Sequence, residues 1–416
     1  MDTRLFAALC FGVALGVAGA GTAGESSGDT SPAFLRLQAA LADFDRIAAA
    51  GGWPQIGSGP LLRAGERDAR VPDLRRRLAE PQAAGADSSC YDTALVRAVR
   101  SFQVRHGLQP DGIVGPLTVA ALDVPAADRA RQVALNLERL RWLPPSRGSR
   151  HVLVNVPAGT LTMVAGDSIF GIMRVVVGRP DRPTPTLESR ITQLELNPAW
   201  NIPQRLARLD VLPHLRKDPE YWRANRIRVF DTWQPGAREL DPADIDWAAI
   251  KPAELAYKLQ QEPGPLNPLG RVKFLFDNPY AVFIHDTPSR DRFNTPARFY
   301  SSGCVRIEDP ETLAGFLLQG ADQRLHARVA AALADPDSLR INLPRPVPVY
   351  LVYWTAWVDP DGVVQFRDDV YGHDAELAAA LFMPPPAPES PLADGTCVEM
   401  DEVGSRIVAD TAALLP

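Results

Sequence analysis

Residues 151–177 read HVLVNVPAGTLTMVAGDSIFGIMRVVV, and they decide the fold of the larger part of the chain. Three runs rich in β-branched and other apolar residues, His151–Val156, Leu161–Val164 and Ile169–Val177, are separated by short polar or Gly-containing segments. The Gly-Asp pair at 166–167 is typical of a hairpin turn. The stretch therefore predicts three consecutive strands.

Further strands are predicted downstream, at Ile191–Leu196, Val272–Phe276 and Ala281–His285, followed by a late hairpin of Val347–Trp357 with Val363–Phe366. The residues between the first two of these strands, about 204–270, form an insertion rich in Pro, Arg and Trp, for which we expect mixed helix and loop.

Upstream of residue 151 the pattern is helical. Apolar residues recur at helical spacing in 33–50 and 126–142, and short helices alternate with turns over 61–122. Leu74, Leu95 and Phe102 are expected in a small helical core. The sequence thus predicts an α+β multidomain protein, in which a small all-α domain precedes a β-rich domain with a mixed insertion.

The composition excludes some classes of protein. The 416 residues include 44 Lys and Arg against 50 Asp and Glu, which gives a net charge of −6. A chain without a basic field is a poor ligand for nucleic acid. Its hydrophobic share of 46% and charged share of 23% are ordinary for a globular protein. At about 100–200 residues per domain, the length allows two or three domains.

The N-terminus has the features of an export signal. Arg4 precedes the uncharged run Leu5–Gly24, and an Ala-Gly-Ala sequence at 18–20 resembles a cleavage site. We expect residues 1–20 to be a cleaved signal peptide, with an uncleaved membrane anchor as the alternative. Both interpretations place the rest of the chain outside the cytoplasm.

Three cysteines follow that segment: Cys90, Cys304 and Cys397. An odd number in an oxidising compartment leaves a free, reactive thiol. A Cys90–Cys397 pair would leave Cys304 free, but spacing alone does not fix the connectivity. From Met383 onward, Pro, Ala and acidic residues predict a poorly ordered tail over 383–416.

Two stretches concentrate reactive side chains, Ile284-His285-Asp286-Thr287 and the SSGCVR sequence at 301–306. An imidazole within hydrogen-bond reach of a thiol can take its proton and activate it as a nucleophile. Gly303 permits close backbone approach, so that an N–H of this turn can stabilise an oxyanion. From the residues alone, an equally good alternative makes Cys304 a small buried apolar residue and His285 a core histidine.

The pattern resembles the signature of the L,D-transpeptidases with a YkuD-like catalytic domain: His, a gap of fourteen to seventeen residues, Ser/Thr-His-Gly-Cys, an apolar residue, then Asn or Arg. Here the gap, 286–300, has fifteen residues, and 303–306 fall in place. Ser302 stands where many members carry His. The large YcbB-like subgroup often has Ser there, so Ser302 is a subgroup marker and no second histidine is expected in the site.

The resemblance covers most of the chain. Similarity to the large subgroup extends over residues 176–185, 197–203, 263–274 and 285–289, and includes Phe293. Similarity to the helical peptidoglycan-binding domain rests on Phe102, Gln103, His106, Gly107, Leu108, Asp111, Gly112, Gly115 and Thr118. Asp111, Gly112 and Gly115 are expected only to form turns.

The resemblance implies a domain organisation: a signal peptide at 1–20, an N-terminal helical scaffold segment at 33–60, the peptidoglycan-binding domain at 61–123, a helical linker at 124–148, the catalytic domain at 149–382 with a lid insertion at about 204–270, and the tail at 383–416.

It also implies a reaction. Cys304 would attack the carbonyl of the third stem-peptide residue of a donor, release D-Ala and form a thioester, which the side-chain amine of a second stem converts to a 3–3 cross-link. His285 would act as base and then as acid, and Gly303 with the Cys304 backbone as oxyanion donors. No metal or other cofactor is expected.

Arg306, Ser302, Asp286 and Trp200 are expected at the substrate. For Arg306, an internal ion pair with Glu308 or Asp309 is an equal alternative. The expected partners are peptidoglycan stem peptides and glycan, and candidate cell-wall synthases, in the periplasm. The rival functions are an L,D-carboxypeptidase, attachment of a protein to the wall by the same thioester, and a non-catalytic wall-binding scaffold.

Overall fold

The computed structural model describes residues 31–79, 88–218, 220–334 and 337–382. The predicted signal peptide and tail therefore lie outside the described residues. Within the described ranges, no helix combines the length and the apolar character needed to cross a bilayer.

Of the described residues, those before 150 form five helices: α1 (Pro32–Ala49), α2 (Val71–Leu78), α3 (Thr93–Arg105), α4 (Pro116–Leu122) and α5 (Ala126–Arg141). Helix α1 begins after Ser31, whose side chain accepts a hydrogen bond from the N–H of Phe34, as is typical of a helix N-cap. Helix α3 ends at Arg105, and Gly107 just beyond it has a φ of 69° that favours glycine. The predicted helices 33–50 and 126–142 are confirmed to within a residue at each end.

Helices α2–α4 enclose a small apolar core in which Leu74, Leu95 and Phe102 are fully buried, as the sequence predicts. Gln103 is also buried, and its amide bonds the Asp111 carboxylate and the N–H of Gly112. Because a buried polar group must be hydrogen-bonded, this side chain fixes the turn that follows α3. Asp111 and Gly112 thus have the turn-forming role expected of them.

The opening stretch of the larger domain forms β1 (Arg150–Asn155), β2 (Thr160–Ala165) and β3 (Ser168–Gly178), followed by β4 (Leu187–Leu196). Strands β1 and β2 pair antiparallel, and so do β2 and β3. The three predicted strands are confirmed, and β4 begins four residues earlier than the sequence predicts.

The insertion has its own sheet and core. Its elements are β5 (Trp200–Asn201), α6 (Gln204–Leu206), a π-helix (Ala207–Val211), α7 (Leu212–Lys217), α8 (Tyr221–Ala224), β6 (Ile227–Phe230), β7 (Glu239–Leu240), 3-10 turns at Pro242–Asp244 and Pro252–Glu254, and β8 (Lys258–Gln261). The strands form a sheet in the order β5-β8-β6-β7 beside a core that includes Leu212, Val229 and Leu259. The prediction of helix and loop alone missed this sheet, because strands of two to four residues carry almost no periodic signal.

The remaining elements are β9 (Val272–Phe276), β10 (Ile284–His285), a 3-10 turn (Arg290–Asn294), β11 (Phe299–Ser301), β12 (Val305–Ile307), α9 (Pro310–Leu317), α10 (Gln323–Ala334), β13 (Leu339–Val352), β14 (Ala356–Val358), β15 (Val364–Phe366) and α11 (His373–Phe382). Nine strands form one sheet in the order β11-β3-β12-β10-β9-β4-β13-β1-β2, and a further pairing of β3 with β2 closes it on itself. The helical N-terminal region and the β-rich domain together confirm the predicted fold class.

Two predicted strands were wrong in extent. The strand predicted at Ala281–His285 has only its last two residues in β10, because Ala281 has a φ of 54° and the Asn278 side chain bonds the N–H and C=O of Val282. The strand predicted at Val347–Trp357 spans the C-terminal part of β13 and the first two residues of β14. They are separated at Thr355, whose N–H donates to Asn136 of α5 instead of to a strand.

The late hairpin packs on the N-terminal helices. Phe366 of β15 and Ala356 of β14 share a buried core with Phe34 of α1 and Leu137 of α5. Asn136 is fully buried and exchanges hydrogen bonds with Thr355 at 2.8 and 3.0 Å. The β-rich domain thereby contributes to the core of the helical region.

Candidate active site

The turn that carries Cys304 lies between β11 and β12 and is held by side-chain hydrogen bonds. Ser301 Oγ accepts from the N–H of Gly303 at 3.1 Å and donates to the carbonyl of Cys304 at 2.5 Å. Thr184 Oγ1 donates to the carbonyl of Gly303 at 2.8 Å. Gly303 has a φ of 115°, which L side chains rarely adopt. A residue other than glycine at position 303 would therefore be strained. The hydrogen bonds of the turn fix the position of the Cys304 backbone.

A row of side chains crosses the sheet beside this turn. The strand register places Arg340, Glu195, Lys273, His285 and Arg306 opposite one another on five neighbouring strands. Residues paired in this way face the same side of a sheet. A carboxylate oxygen of Glu195 lies 3.7 Å from Lys273 Nζ, and its other oxygen lies 3.3 Å from Arg340 Nη2. We name these five residues the charged row.

Cys304 precedes Arg306 by two residues, which is the spacing of side chains on one face of an extended chain. Burial raises the pKa of the Cys304 thiol to about 11. A hydrogen bond from the N–H of Phe283 and the positive charges of Lys273 and Arg306 act in the opposite direction and limit this rise. The charged row thus favours the thiolate at a position where burial disfavours it.

His285 is neutral at physiological pH. Its ring is 3% exposed, and its pKa falls to about 3 because of burial and then the charge of Arg306. Nδ1 lies 2.5 Å from the carbonyl oxygen of Asp286; the ring donates there, which leaves Nε2 as the acceptor. Among the described residues, no hydrogen bond joins the ring to the Cys304 sulfur. The free protein thus holds a neutral imidazole and a neutral thiol.

Arg306 has an unsatisfied guanidinium. Its Nε is buried without a hydrogen-bond partner, and a guanidinium cannot give up its charge. The ion pair with Glu308 or Asp309 that we weighed as an alternative is absent: Glu308 binds Arg174, and Asp309 caps α9 through the N–H of Thr312. The guanidinium therefore stays available to an anion.

Ser302 is tied to the insertion. Its Oγ accepts from Arg182 Nη1 at 3.1 Å, and the same guanidinium binds the Asp210 carboxylate at 2.6 Å. Asp210 belongs to the π-helix of the insertion. We name Ser302, Arg182 and Asp210 the strap.

Asp286 and Trp200 have other surroundings than expected. The buried Asp286 carboxylate accepts from the N–H of Arg271 and pairs with Arg290, both at 2.8 Å. A Cβ at Gly270 would lie 2.3 Å from this carboxylate. Asp286 therefore holds two loops together, and both of its oxygens are occupied. Trp200 packs against the insertion's own core, and no described contact places it beside Cys304.

Sequence reasoning missed Lys273 and Glu195 in the charged row, and Arg182 and Thr184 beside the turn. One signal was present: Lys273 interrupts an otherwise apolar strand, VKFLF. A lysine in a buried strand is normally paired with an opposite charge, so the sequence could have identified Lys273 as a candidate site residue.

Two family models match the chain. The model of the L,D-transpeptidase catalytic domain matches residues 149–330, and the model described as "Putative peptidoglycan binding domain" matches residues 67–122. A curated protein of Haemophilus influenzae, named "Putative L,D-transpeptidase", is 33% identical over 250 residues. That alignment spans 60% of this chain and about half (49%) of the relative's length.

Solved structures also match. An L,D-transpeptidase from Xylanimonas cellulosilytica has 15% identity and a TM-score of 0.23, with 71% of this chain and 99% of that chain covered. L,D-transpeptidase 3 from Mycobacterium tuberculosis has 9% identity and a TM-score of 0.25, with 49% and 61% covered. At these TM-scores the structural likenesses carry no argument about this chain.

Proposed function

We propose that the protein is a peptidoglycan L,D-transpeptidase that forms 3–3 cross-links through a thioester on Cys304, because residues 149–330 match the model of the L,D-transpeptidase catalytic domain and residues 67–122 match the model of a peptidoglycan-binding domain. The observation that supports it best is the rigid turn carrying Cys304 on the face of the charged row, within that domain. We propose that it acts outside the cytoplasm on stem peptides.

In the first step, the Cys304 sulfur attacks the carbonyl of the third stem residue while His285 Nε2 takes the thiol proton. An imidazole with a pKa near 3 is unprotonated at neutral pH but is a weak base, so we propose that it takes the proton only as the carbon–sulfur bond forms. The carbon–sulfur bond forms and the bond to D-Ala breaks. His285 returns the proton to the departing amine, so the step is balanced without a cofactor.

The oxyanion of this step needs donors, and Gly303 is a poorer candidate than expected. Its N–H already donates to Ser301 Oγ, so its use would require that bond to break. The N–H of Cys304 makes no hydrogen bond among the described residues. We propose that it is the oxyanion donor, supported by the positive charges of Lys273 and Arg306.

Arg306 is proposed to receive a carboxylate of the stem peptide. Its Nε has no partner in the protein, and a guanidinium binds a carboxylate through charge-assisted hydrogen bonds. Ser302 is proposed to act through the strap, and Asp286 by holding the loop of His285. Neither is proposed to touch substrate, and Trp200 is proposed to serve the insertion.

In the second step, the amine of an acceptor stem attacks the thioester and His285 takes its proton, which returns to the Cys304 sulfur. Water competes with the amine. The insertion is proposed to be a lid that excludes water, and its connection to Ser302 through the strap supports this.

The test is mass spectrometry of products from a disaccharide-tetrapeptide, with Cys304→Ala as the control. We expect a dimer joined 3–3 with loss of D-Ala, which the variant does not form. A Cys304-dependent tripeptide without dimer would instead assign an L,D-carboxypeptidase. A Cys304-dependent adduct that forms only with an added protein amine would assign wall attachment. No product from the folded protein would favour the non-catalytic scaffold.

A further inference from the structure

The segment that follows the late hairpin returns to the turn that carries Cys304. Its Tyr371 packs edge to face on the Phe299 ring, with ring centres 6.1 Å apart, and Phe299 begins β11, the strand that leads into this turn. Tyr371 is half-buried and lies beyond residues 149–330, which the catalytic family model matches. Neither that match nor the two reactive motifs therefore assign it a role.

The Tyr371 hydroxyl bridges the two ends of one loop. It donates to the carbonyl of Gly178 at 2.5 Å and accepts from the N–H of Thr184 at 3.4 Å. The N–H of Gly178 also donates to Thr184 Oγ1 at 2.8 Å. Burial raises the pKa of Tyr371, so the hydroxyl keeps the proton that it donates. We name residues 178–184 the bridged loop.

Thr184 connects the bridged loop to the nucleophile. Its Oγ1 donates to the carbonyl of Gly303 at 2.8 Å, and the residue is only 1% exposed. The carbonyl of Gly303 and the N–H of Cys304 belong to one peptide group, which is planar. A hydrogen bond that fixes the direction of the carbonyl therefore also fixes the direction of the N–H.

Tyr371 is itself held from the opposite side. Its N–H donates to the Tyr353 hydroxyl at 2.8 Å, and that hydroxyl donates to the Asp369 carboxylate at 2.9 Å. Asp369 also accepts from the N–H of Asp374 at 2.8 Å, and the Asp374 carboxylate pairs with Arg139 of α5. These bonds anchor Tyr371 to the helical region and so fix where its hydroxyl lies.

We propose that Tyr371 is a positioning residue for the N–H of Cys304, and that it acts through Thr184 on the peptide group between Gly303 and Cys304. The inference rests on the proposed function, which makes this N–H the oxyanion donor. A donor that is aimed before the oxyanion forms needs no rearrangement during the reaction, and a mobile donor loses that advantage. Tyr371 is not proposed to touch substrate.

Tyr371→Phe removes the hydroxyl and keeps the ring. The matched control is Tyr91→Phe in the core of the helical region, because the Tyr91 hydroxyl also donates to a backbone carbonyl, that of Gly112, at 2.7 Å. Each variant loses a hydrogen bond from a tyrosine to a carbonyl, so their losses of stability should be similar. Thermal melts of both variants measure this.

The first readout is the release of D-Ala from a disaccharide-tetrapeptide by the full chain over a range of substrate concentrations. An oxyanion donor acts only in the transition state, so its misplacement lowers kcat and leaves KM unchanged. We expect kcat to be about tenfold lower in Tyr371→Phe, less than the effect of about a hundredfold for complete loss of an oxyanion donor. Tyr91→Phe should have the parent kcat.

Substitutions of Thr184 test the next step of the same path. Thr184→Val removes the hydroxyl that bonds Gly303, so we expect it to lower kcat at least as much as Tyr371→Phe does. Thr184→Ser keeps the hydroxyl and should retain most of the parent kcat. Equal kcat values in the two Thr184 variants would show that the bond to Gly303 does not position the donor.

The second readout needs no substrate. Hydrogen exchange of a peptide that covers residues 299–305 reports on the N–H of Gly303, which donates to Ser301 Oγ within the turn. We expect exchange to be about fivefold faster in Tyr371→Phe, the effect of one lost hydrogen bond, and unchanged in Tyr91→Phe. If Tyr371→Phe does not fold, Thr184→Val takes its place in both measurements, with Thr184→Ser as its control.

The outcomes separate this inference from the proposed function. A parent kcat in Tyr371→Phe would overturn the inference, and so would equal losses of kcat in the Tyr371 and Tyr91 variants. A change only in the ratio of tripeptide to dimer would assign Tyr371 to the strap, through Arg182 of the bridged loop. If the parent releases no D-Ala while exchange is faster in Tyr371→Phe alone, the proposed function fails and the placement of the turn by Tyr371 stands.

Discussion

At the scale of single residues, the Cys304 thiol and the His285 imidazole are both uncharged in the free protein. Burial lowers the pKa of His285 to about 3 and raises that of Cys304 to about 11. A preformed thiolate–imidazolium pair requires the opposite order of these two values. We therefore infer that the proton moves during attack on the substrate rather than before it.

This order predicts the pH dependence of thiol alkylation. Only the thiolate reacts, so the rate at Cys304 should rise about tenfold per pH unit from pH 7 and level off near the thiol pKa of about 11. Peptide mass spectrometry after iodoacetamide treatment measures it, and Cys304→Ala accounts for the other cysteines. A plateau below pH 8 would contradict the neutral pair.

Lys273→Met should slow alkylation of Cys304. The lysine's charge lowers the thiol pKa, and one pKa unit is a tenfold change in thiolate, so we expect about a tenfold lower rate at pH 8. Lys273→Arg should keep most of the rate. The control is Lys251→Met, at an exposed ion pair of the insertion. Equal rates in the Lys251 and Lys273 variants would remove Lys273 from the site.

The sequence pointed to some residues of the site and not to others, for a physical reason. Cys304, His285 and Arg306 lie in two short motifs whose residue types suggest chemistry. Lys273 and Glu195 reach the site only through the register of β4, β9 and β10, and register depends on pairings distant in sequence. Asp286 was predicted to contact substrate for the same reason. Its partners, the N–H of Arg271 and the guanidinium of Arg290, are brought to it only by the fold.

At the scale of elements, the strap joins the insertion, which we propose to be a lid, to the turn that carries Cys304. Arg182 is 9% exposed in its side chain and binds Ser302 and Asp210 together. The π-helix that carries Asp210 is a form often found at functional positions in helices. Closing of the lid and placing of the turn are therefore expected to be coupled.

Asp210→Asn should weaken that coupling. Loss of the charged partner loosens the lid, admits water to the thioester and raises the ratio of hydrolysed tripeptide to cross-linked dimer severalfold, with little change in total thioester turnover. Product masses measure the ratio. Asp244→Asn, at an exposed carboxylate of the same insertion, should leave it at the parent value. If both variants have the parent ratio, the strap does not control water entry.

Element prediction succeeded where the pattern was long and local. The strands of 151–177 and helix α1 were predicted because one period persists over many residues. The insertion's sheet and the break between β13 and β14 were not, because the first depends on pairing of very short strands and the second on a hydrogen bond between Thr355 and Asn136, 219 residues apart.

At the scale of the whole molecule, His106 lies between the helical region and the late hairpin. We expect it to make the packing of these two parts sensitive to acid. Burial and the charge of Arg129 lower the pKa of His106 to about 2. Arg77 and Arg105 face the same ring and act in the same direction. Protonation of His106 would add a fourth positive charge beside those of Arg77, Arg105 and Arg129.

The direction of the pH effect on stability follows from proton binding: a group that is protonated only in the unfolded chain lowers the free energy of unfolding as the pH falls. Between about pH 2 and 6.5, the unfolded chain binds a proton at His106 that the folded protein does not, so stability rises with pH across this window. We expect the free energy of unfolding to fall as the pH drops below 6.5, by at most about 1.4 kcal/mol per unit for this residue. Urea titrations from pH 4 to 8 measure it.

His106→Phe keeps an aromatic ring between Phe102 and Phe366 and should reduce that slope. His326→Phe, on helix α10 of the β-rich domain, should retain the parent slope. Equal slopes in both variants would show that His106 does not sense acid.

The late hairpin also sets the order in which the chain can fold. Phe34 of α1 and Leu137 of α5 share their core with Ala356 and Phe366, which are synthesised more than two hundred residues after Leu137. A chain emerging N-terminus first therefore exposes an incomplete core for most of its synthesis. Contacts this distant in sequence form late and slowly. For the location outside the cytoplasm that we propose, such a delay would be an advantage, because the chain would stay unfolded until most of it has been made.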